Sequence, residues 1–152
     1  MVRLHLDWNV APAPKTTQEL NFIKIKKMAT FKAVKEVFKH RGRTCVILEL
    51  GFETQASLSI RLGGFGAPSS FHNGYVSVAP RHKGIDYDKF INKIDVEELT
   101  FSDNLEYEGI DKELWFLGFD TVHAYNIKAT QTFEYAKKQT IKLADEMVDK
   151  GI

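Results

Sequence analysis

Apolar and polar residues alternate at the start of the chain: Val2, Leu4, Leu6, Trp8 and Val10 interleave with Arg3, His5, Asp7 and Asn9. A period of two sends successive side chains to opposite faces, so residues 2–10 are predicted to form a half-buried strand. Ala11-Pro12-Ala13-Pro14 ends it, because proline gives no N–H to a ladder and biases its predecessor away from helix. Residues 21–29 mix Phe22, Ile23 and Ile25 with three lysines and read as strand. Within 31–50 two patterns compete. Phe31, Val34, Val37 and Phe38 carry helical spacing, yet His40-Arg41-Gly42-Arg43 is a turn and 44–50 (TCVILEL) is rich in β-branched residues. A β-hairpin around Gly42 is the favoured reading, with a short helix before the turn as the competitor.

Further along, 57–62 and 74–79 (GYVSVA) have strand character, the second stopped by Pro80. Between them 63–70 is a loop by its glycine, serine and proline content. Residues 86–94 predict a short helix or a loop with one turn. Two more strands are expected at 98–101 and 113–121 (ELWFLGFDT), the latter almost continuously apolar and therefore interior. Phe133, Ala136, Thr140 or Ile141, Ala144, Met147 and Val148 then recur at three- and four-residue steps. They predict a closing amphipathic helix of about twenty residues, capped by Thr130 or Thr132 and ended by Gly151. The expected fold is α+β: a mostly antiparallel sheet with one long C-terminal amphipathic helix packed on it, in a single domain over 1–152.

Composition narrows the function. At 152 residues, 43% hydrophobic, the chain is long enough for a real core. Its +1 net charge excludes a wholly basic nucleic-acid protein, and 12% aromatics excludes global disorder. No run of about 18 apolar residues occurs, so no membrane partner is expected. The N-terminus lacks a signal peptide's pattern, and Cys45 is the one cysteine. A reduced, cytoplasmic, soluble protein without disulfides is the expectation. The near-neutral total hides an asymmetry. Residues 15–43 hold nine Lys and Arg against Glu19 and Glu36, whereas 86–120 hold eleven acids against Lys89, Lys93 and Lys112. Such segregation suits complementary solvated faces within the fold or across a homo-oligomer. A phosphate-bearing ligand or nucleic acid at the basic end is the sharper alternative, with nucleic acid the less favoured.

Few constellations suggest chemistry. Gly63 to Gly66 lacks the Lys-Ser/Thr of a phosphate loop and reads as a strand connector. There is no G-x-S-x-G elbow, and Cys45 in mid-strand reads as a buried, inert thiol. His72, His82 and His123 titrate nearest neutrality. No two share the i, i+4 or H-x-H spacing of a metal pair, so no preformed metal site and no cofactor are expected. His82 and His123 each follow an apolar strand, where rigid scaffolds present ligand-contacting groups. Asp120 lies three residues before His123 and could orient an imidazole or accept a ribose hydroxyl. Arg81, His82 and Lys83 form a small cationic loop suited to phosphate oxygens. Tyr75, Trp115 and Tyr125 could stack on a base.

These segments carry a resemblance. Gly74-Tyr75-Val76, Pro80 with His82, Leu99-Thr100-Phe101-Ser102, and Trp115 to Asp120 followed by His123-Ala124 resemble the pattern of a group of small phage and prophage accessory proteins. Glu134 to Lys138 and Leu143-Ala144 extend the likeness, which covers roughly 72–146. It implies an accessory, anti-defence protein of the host cytoplasm that sequesters or cleaves a nucleotide-derived signal of cyclic-nucleotide or ADP-ribose type, and it adds Thr100 to the ligand-contacting set. The chain departs from the pattern at Asn73 (Cys in the pattern), at Val96-Glu97-Glu98 (His-Gly-Gly) and at Tyr125-Asn126 (Gly-Asp). The resemblance with those departures implies binding without turnover. The favoured expectation is therefore a binding module in which Arg81 and Lys83 meet phosphates, Asp120 a ribose hydroxyl, and Tyr75, Trp115 or Tyr125 a base. The enzymatic alternative is a metal-independent phosphodiesterase with His82 and His123 as acid and base. A third reading is a nucleic-acid or host-protein interaction module using the basic 24–43 stretch. Both the first and second require the loops bearing His82 and Asp120 to converge on one pocket.

Overall fold

The computed structural model describes residues 31–51, 70–121 and 128–152. The strands predicted at 2–10, 21–29 and 57–62 lie outside the described residues, as do His123, Tyr125 and all of the predicted 63–70 loop but Ser70, which opens a strand. Within the described part, five strands form one sheet: β1 Phe31–His40, β2 Arg43–Gly51, β3 Ser70–Ser77, β4 Phe101–Asp103 and β5 Phe116–Phe119, in the order β1-β2-β3-β5-β4 with every pair antiparallel. Among the described residues one long helix, α1, is found, spanning Phe133–Asp149. The α+β expectation holds, and no described helix is long and apolar enough to cross a membrane.

Of the two readings for 31–50, the hairpin is the one observed. His40 pairs with Arg43 across a two-residue turn in which Arg41 (φ 48°) and Gly42 (φ 80°) both take the left-handed conformation. Two left-handed residues make the turn whose twist matches the flanking strands. β5 is interior, as its apolar run predicts, though it is shorter than 113–121. The 86–94 stretch is a single 3-10 turn at Tyr87–Lys89, and the strand expected at 98–101 begins at Phe101. Thr132 caps α1, its side chain accepting from the Tyr135 N–H, and Gly151 (φ 69°) follows the helix end.

Both faces of the sheet are covered. Leu143, Ala144 and Met147 of α1 pack on Cys45, Val76, Leu117 and Phe119. On the other face Leu105 and Ile110 close over Val46, Leu48, Phe71, Tyr75 and Phe116. This double burial explains why β2 is almost uninterruptedly apolar from Cys45 onward, with Glu49 the exception there. Cys45 lies fully buried in the helix-side core, and burial pushes its thiol up to about 12, which makes it inert as expected.

Candidate functional site

Being antiparallel neighbours, β3 and β5 finish at opposite edges of the sheet, and this divides the predicted site residues into two groups. Trp115 and Asp120 are five residues apart along one extended segment, roughly 16 Å. The cationic loop belongs to the Trp115 end, where Val78 N–H donates to Trp115 O (2.9 Å) and the Trp115 indole N–H to Ile85 O (2.9 Å). Asp120 belongs to the other end, beyond the Gly74–Phe119 pair. The predicted convergence of Arg81 and His82 with Asp120 is therefore not what the fold delivers. Strand ends converge when neighbouring strands run parallel, and these do not.

At the Trp115 end the cations have structural partners. Arg81 donates to Gly151 O, and Arg43 to Ser77 O and Ile152 O, so both guanidinium groups serve carbonyls at the end of α1. Lys83 pairs with Glu113 at 3.1 Å. The His82 ring stands edge-on to Phe90 at 5.4 Å, and its Nδ1 is buried without a hydrogen-bond partner. Burial first, then the charges of Arg81, Lys93 and Arg43, lower its pKa below the ordinary 6.5. Above pH 6.5 the imidazole is neutral in folded and unfolded chains alike. As pH falls through 6.5 the unfolded chain takes up the proton first, so stability declines until pH passes the lower folded-state value. A His82→Gln variant should lose less stability than the parent between pH 7.5 and pH 5, read as the shift of the urea midpoint. Equal shifts would mean His82 is not the group responsible.

Most cations of the basic hairpin are likewise partnered. His40 and Arg41 hold Asp145 (2.9 and 3.1 Å), Arg41 holds Asp149 (2.9 Å), and Lys39 donates to Thr44 Oγ1 (2.6 Å). Lys35 lies 3.8 Å from Glu49, and Lys137 of α1 2.6 Å from Glu36. Of the readings offered for the charge segregation, complementary faces within the fold fits these contacts, although the partners come from α1 and β2 rather than from 86–120. At Lys35, Lys39, Arg41 and Arg43 the charge is taken up within the fold.

The opposite end of the sheet is where buried polarity gathers. His72, Asn73, Asp120, Thr121 and Gln131 are each no more than 7% exposed. Burying a polar group is unfavourable unless hydrogen bonds compensate, so such a concentration marks a place under functional or strict structural constraint. Alternation along β3 splits it into two clusters. On the face away from α1, Thr100 Oγ1 donates to Asp120 Oδ2 (3.0 Å), and Asn73 Nδ2 donates to the Tyr75 hydroxyl (3.3 Å). Burial, with the Asp120 charge as a smaller cause, holds the Tyr75 phenol well above its ordinary pKa, so it stays a neutral hydroxyl. Asn73 Oδ1 is buried with no hydrogen-bond partner. Thus Thr100 is bonded to Asp120 and Tyr75 to Asn73, and the Asp120 charge is near enough to act on the Tyr75 phenol. Tyr75 cannot stack on a base, because it is 6% exposed and its ring meets Phe101 edge-on at 4.9 Å.

On the helix face, His72 Nδ1 donates to Gln131 O (2.8 Å), Thr121 Oγ1 donates to His72 O (2.9 Å), and Gln131 Nε2 donates to Thr121 O (3.0 Å). His72 is one of the three histidines the sequence singles out, whereas nothing in the sequence points to Gln131 or Glu49. Among the described residues, no group of three or more His, Cys, Asp and Glu side chains is placed to hold a metal ion. Comparison with known families, characterised proteins and solved structures gives no match.

Proposed function

We propose that the protein is a binding module that holds a small nucleotide-derived ligand of cyclic-nucleotide or ADP-ribose type at the Asp120 end of the sheet, without consuming it and by its ribose or base rather than through phosphate contacts to Arg81 and Lys83, which lie at the opposite end. The observation that carries this reading is the unpaired Asn73 Oδ1 beside Asp120, Thr100 and the Tyr75 hydroxyl. A buried acceptor without a donor costs about 1–3 kcal/mol, which a ligand hydroxyl or amino group would recover. Asp120 adds to that acceptor a buried carboxylate, the kind of group that a ribose diol bonds. The likeness of 72–146 to phage accessory proteins supports a role in withdrawing such a signal from a host defence. Holding is favoured over cleavage because the loop carrying His82 lies at the opposite end of the sheet from Asp120.

Calorimetry with cyclic dinucleotides, ADP-ribose and the parent nucleosides tests this. Binding of at least one, with the ligand recovered unchanged after the protein is denatured, is the expected result. Asp120→Asn should weaken that binding about 10- to 100-fold, the scale of a hydrogen bond to a charged acceptor. Absence of binding across the panel, wild-type affinity in the variant, or a cleaved product would each overturn the proposal.

A further inference from the structure

We propose that His72 and Glu49 form a second, independent site, on the α1 face of the sheet, for a divalent transition-metal ion of the zinc type. The two residues are 23 positions apart in the chain but directly opposite in the β2–β3 register. Their side chains share the helix face, where the imidazole ring stands edge-on to Phe133 at 6.1 Å. Because a carbonyl can only accept, the 2.8 Å contact to Gln131 O places the proton on Nδ1. In the neutral ring Nε2 is then a lone pair. It is buried, has no hydrogen-bond partner, and faces Glu49 Oε2 at 3.5 Å.

Two acceptors in this position repel unless a cation lies between them. An ion at ordinary zinc distances, about 2.05 Å from nitrogen and about 2.1 Å from oxygen, would see them at an angle of roughly 115°, close to tetrahedral. An imidazole whose other nitrogen donates to a backbone carbonyl is also how proteins commonly orient a metal-ligating histidine. Lys35 approaches the other carboxylate oxygen, Oε1, at 3.8 Å and leaves Oε2 to the ion. The Glu49 side chain is 24% exposed, against 9% for His72, which gives the ion a route from solvent and leaves its remaining positions to water. A proton on Nε2 is the competing occupant, and it would make the pair an imidazolium–carboxylate contact.

The test titrates Co2+ and Zn2+ into the whole chain at pH 7.5, following the cobalt d–d bands and the histidine side-chain nitrogen resonances. One ion per chain is expected, with Nε2 of His72 the resonance that moves. Affinity should rise with pH, since a ligating imidazole must be free of its second proton. His72→Gln and Glu49→Gln should each weaken binding at least 10-fold. If His72→Gln does not fold, Glu49→Gln and the wild-type resonances decide. The proposal is overturned by absence of binding, by binding that leaves the His72 resonances unmoved, or by full affinity in a folded Glu49→Gln variant.

Discussion

Replacing Gly74 by alanine should destabilise the protein by about 3 kcal/mol or more, at the upper end of what overpacking costs. A Cβ built at this position lies 2.1 Å from Thr140 Oγ1 and 2.6 Å from Phe119 Cε1. Neither neighbour has room to withdraw. Phe119 is 1% exposed and belongs to the helix-side core, and Thr140 is fully buried with its hydroxyl tied to Ala136 O at 2.6 Å. The absent side chain is what lets α1 lie directly on β3. In a chain of this length the loss corresponds to a fall in Tm of roughly 6–12 °C. Thr140→Ala removes the nearest obstruction, so the double variant should recover part of the loss, while the Phe119 ring keeps it from recovering all. Purely additive effects in that cycle would show that helix and strand do not meet at this point.

Where local chemistry settles local structure, the sequence was readable. The left-handed turn at Arg41-Gly42 and the three- and four-residue periodicity of α1 act within a few residues, and both elements are found as expected. Strand β3 was read from Gly74, whereas it begins at Ser70. The strand positions left out include His72 and Asn73, which are buried yet polar and so do not register in a pattern that equates inside with apolar. Those same residues build the candidate site. Sites break the pattern that reveals a fold, because their groups are retained for something other than burial. Pairing was the second obstacle. Glu49 and His72 meet only through the β2–β3 register, and no spacing rule within one segment can find them. The expected convergence of His82 with Asp120 failed for a related reason: both do follow strands, but antiparallel ones.

The counterpart of Gly74 on the other face is Gly118, and Gly118→Ala should be comparably severe, about 3 kcal/mol. The register pairs Gly74 with Phe119 and Tyr75 with Gly118, so each strand offers a glycine to the other's aromatic ring. A Cβ at Gly118 would lie 2.3 Å from Tyr75 Cδ1 and 3.0 Å from Gly74 O, a backbone atom that cannot be displaced without moving β3. The two glycine–aromatic steps that make 74–79 and 113–121 distinctive in sequence thus have a packing origin on opposite faces. Their consequences should differ. Gly74→Ala pushes on α1, whereas Gly118→Ala pushes on the ring whose hydroxyl is bonded to Asn73. At temperatures where both variants remain folded, Gly118→Ala should therefore weaken the ligand binding proposed for the Asp120 end by a larger factor than Gly74→Ala does. Urea denaturation measures the first effect and calorimetry the second. Equal affinities in the two folded variants would separate Tyr75 from ligand recognition and leave it a core residue only.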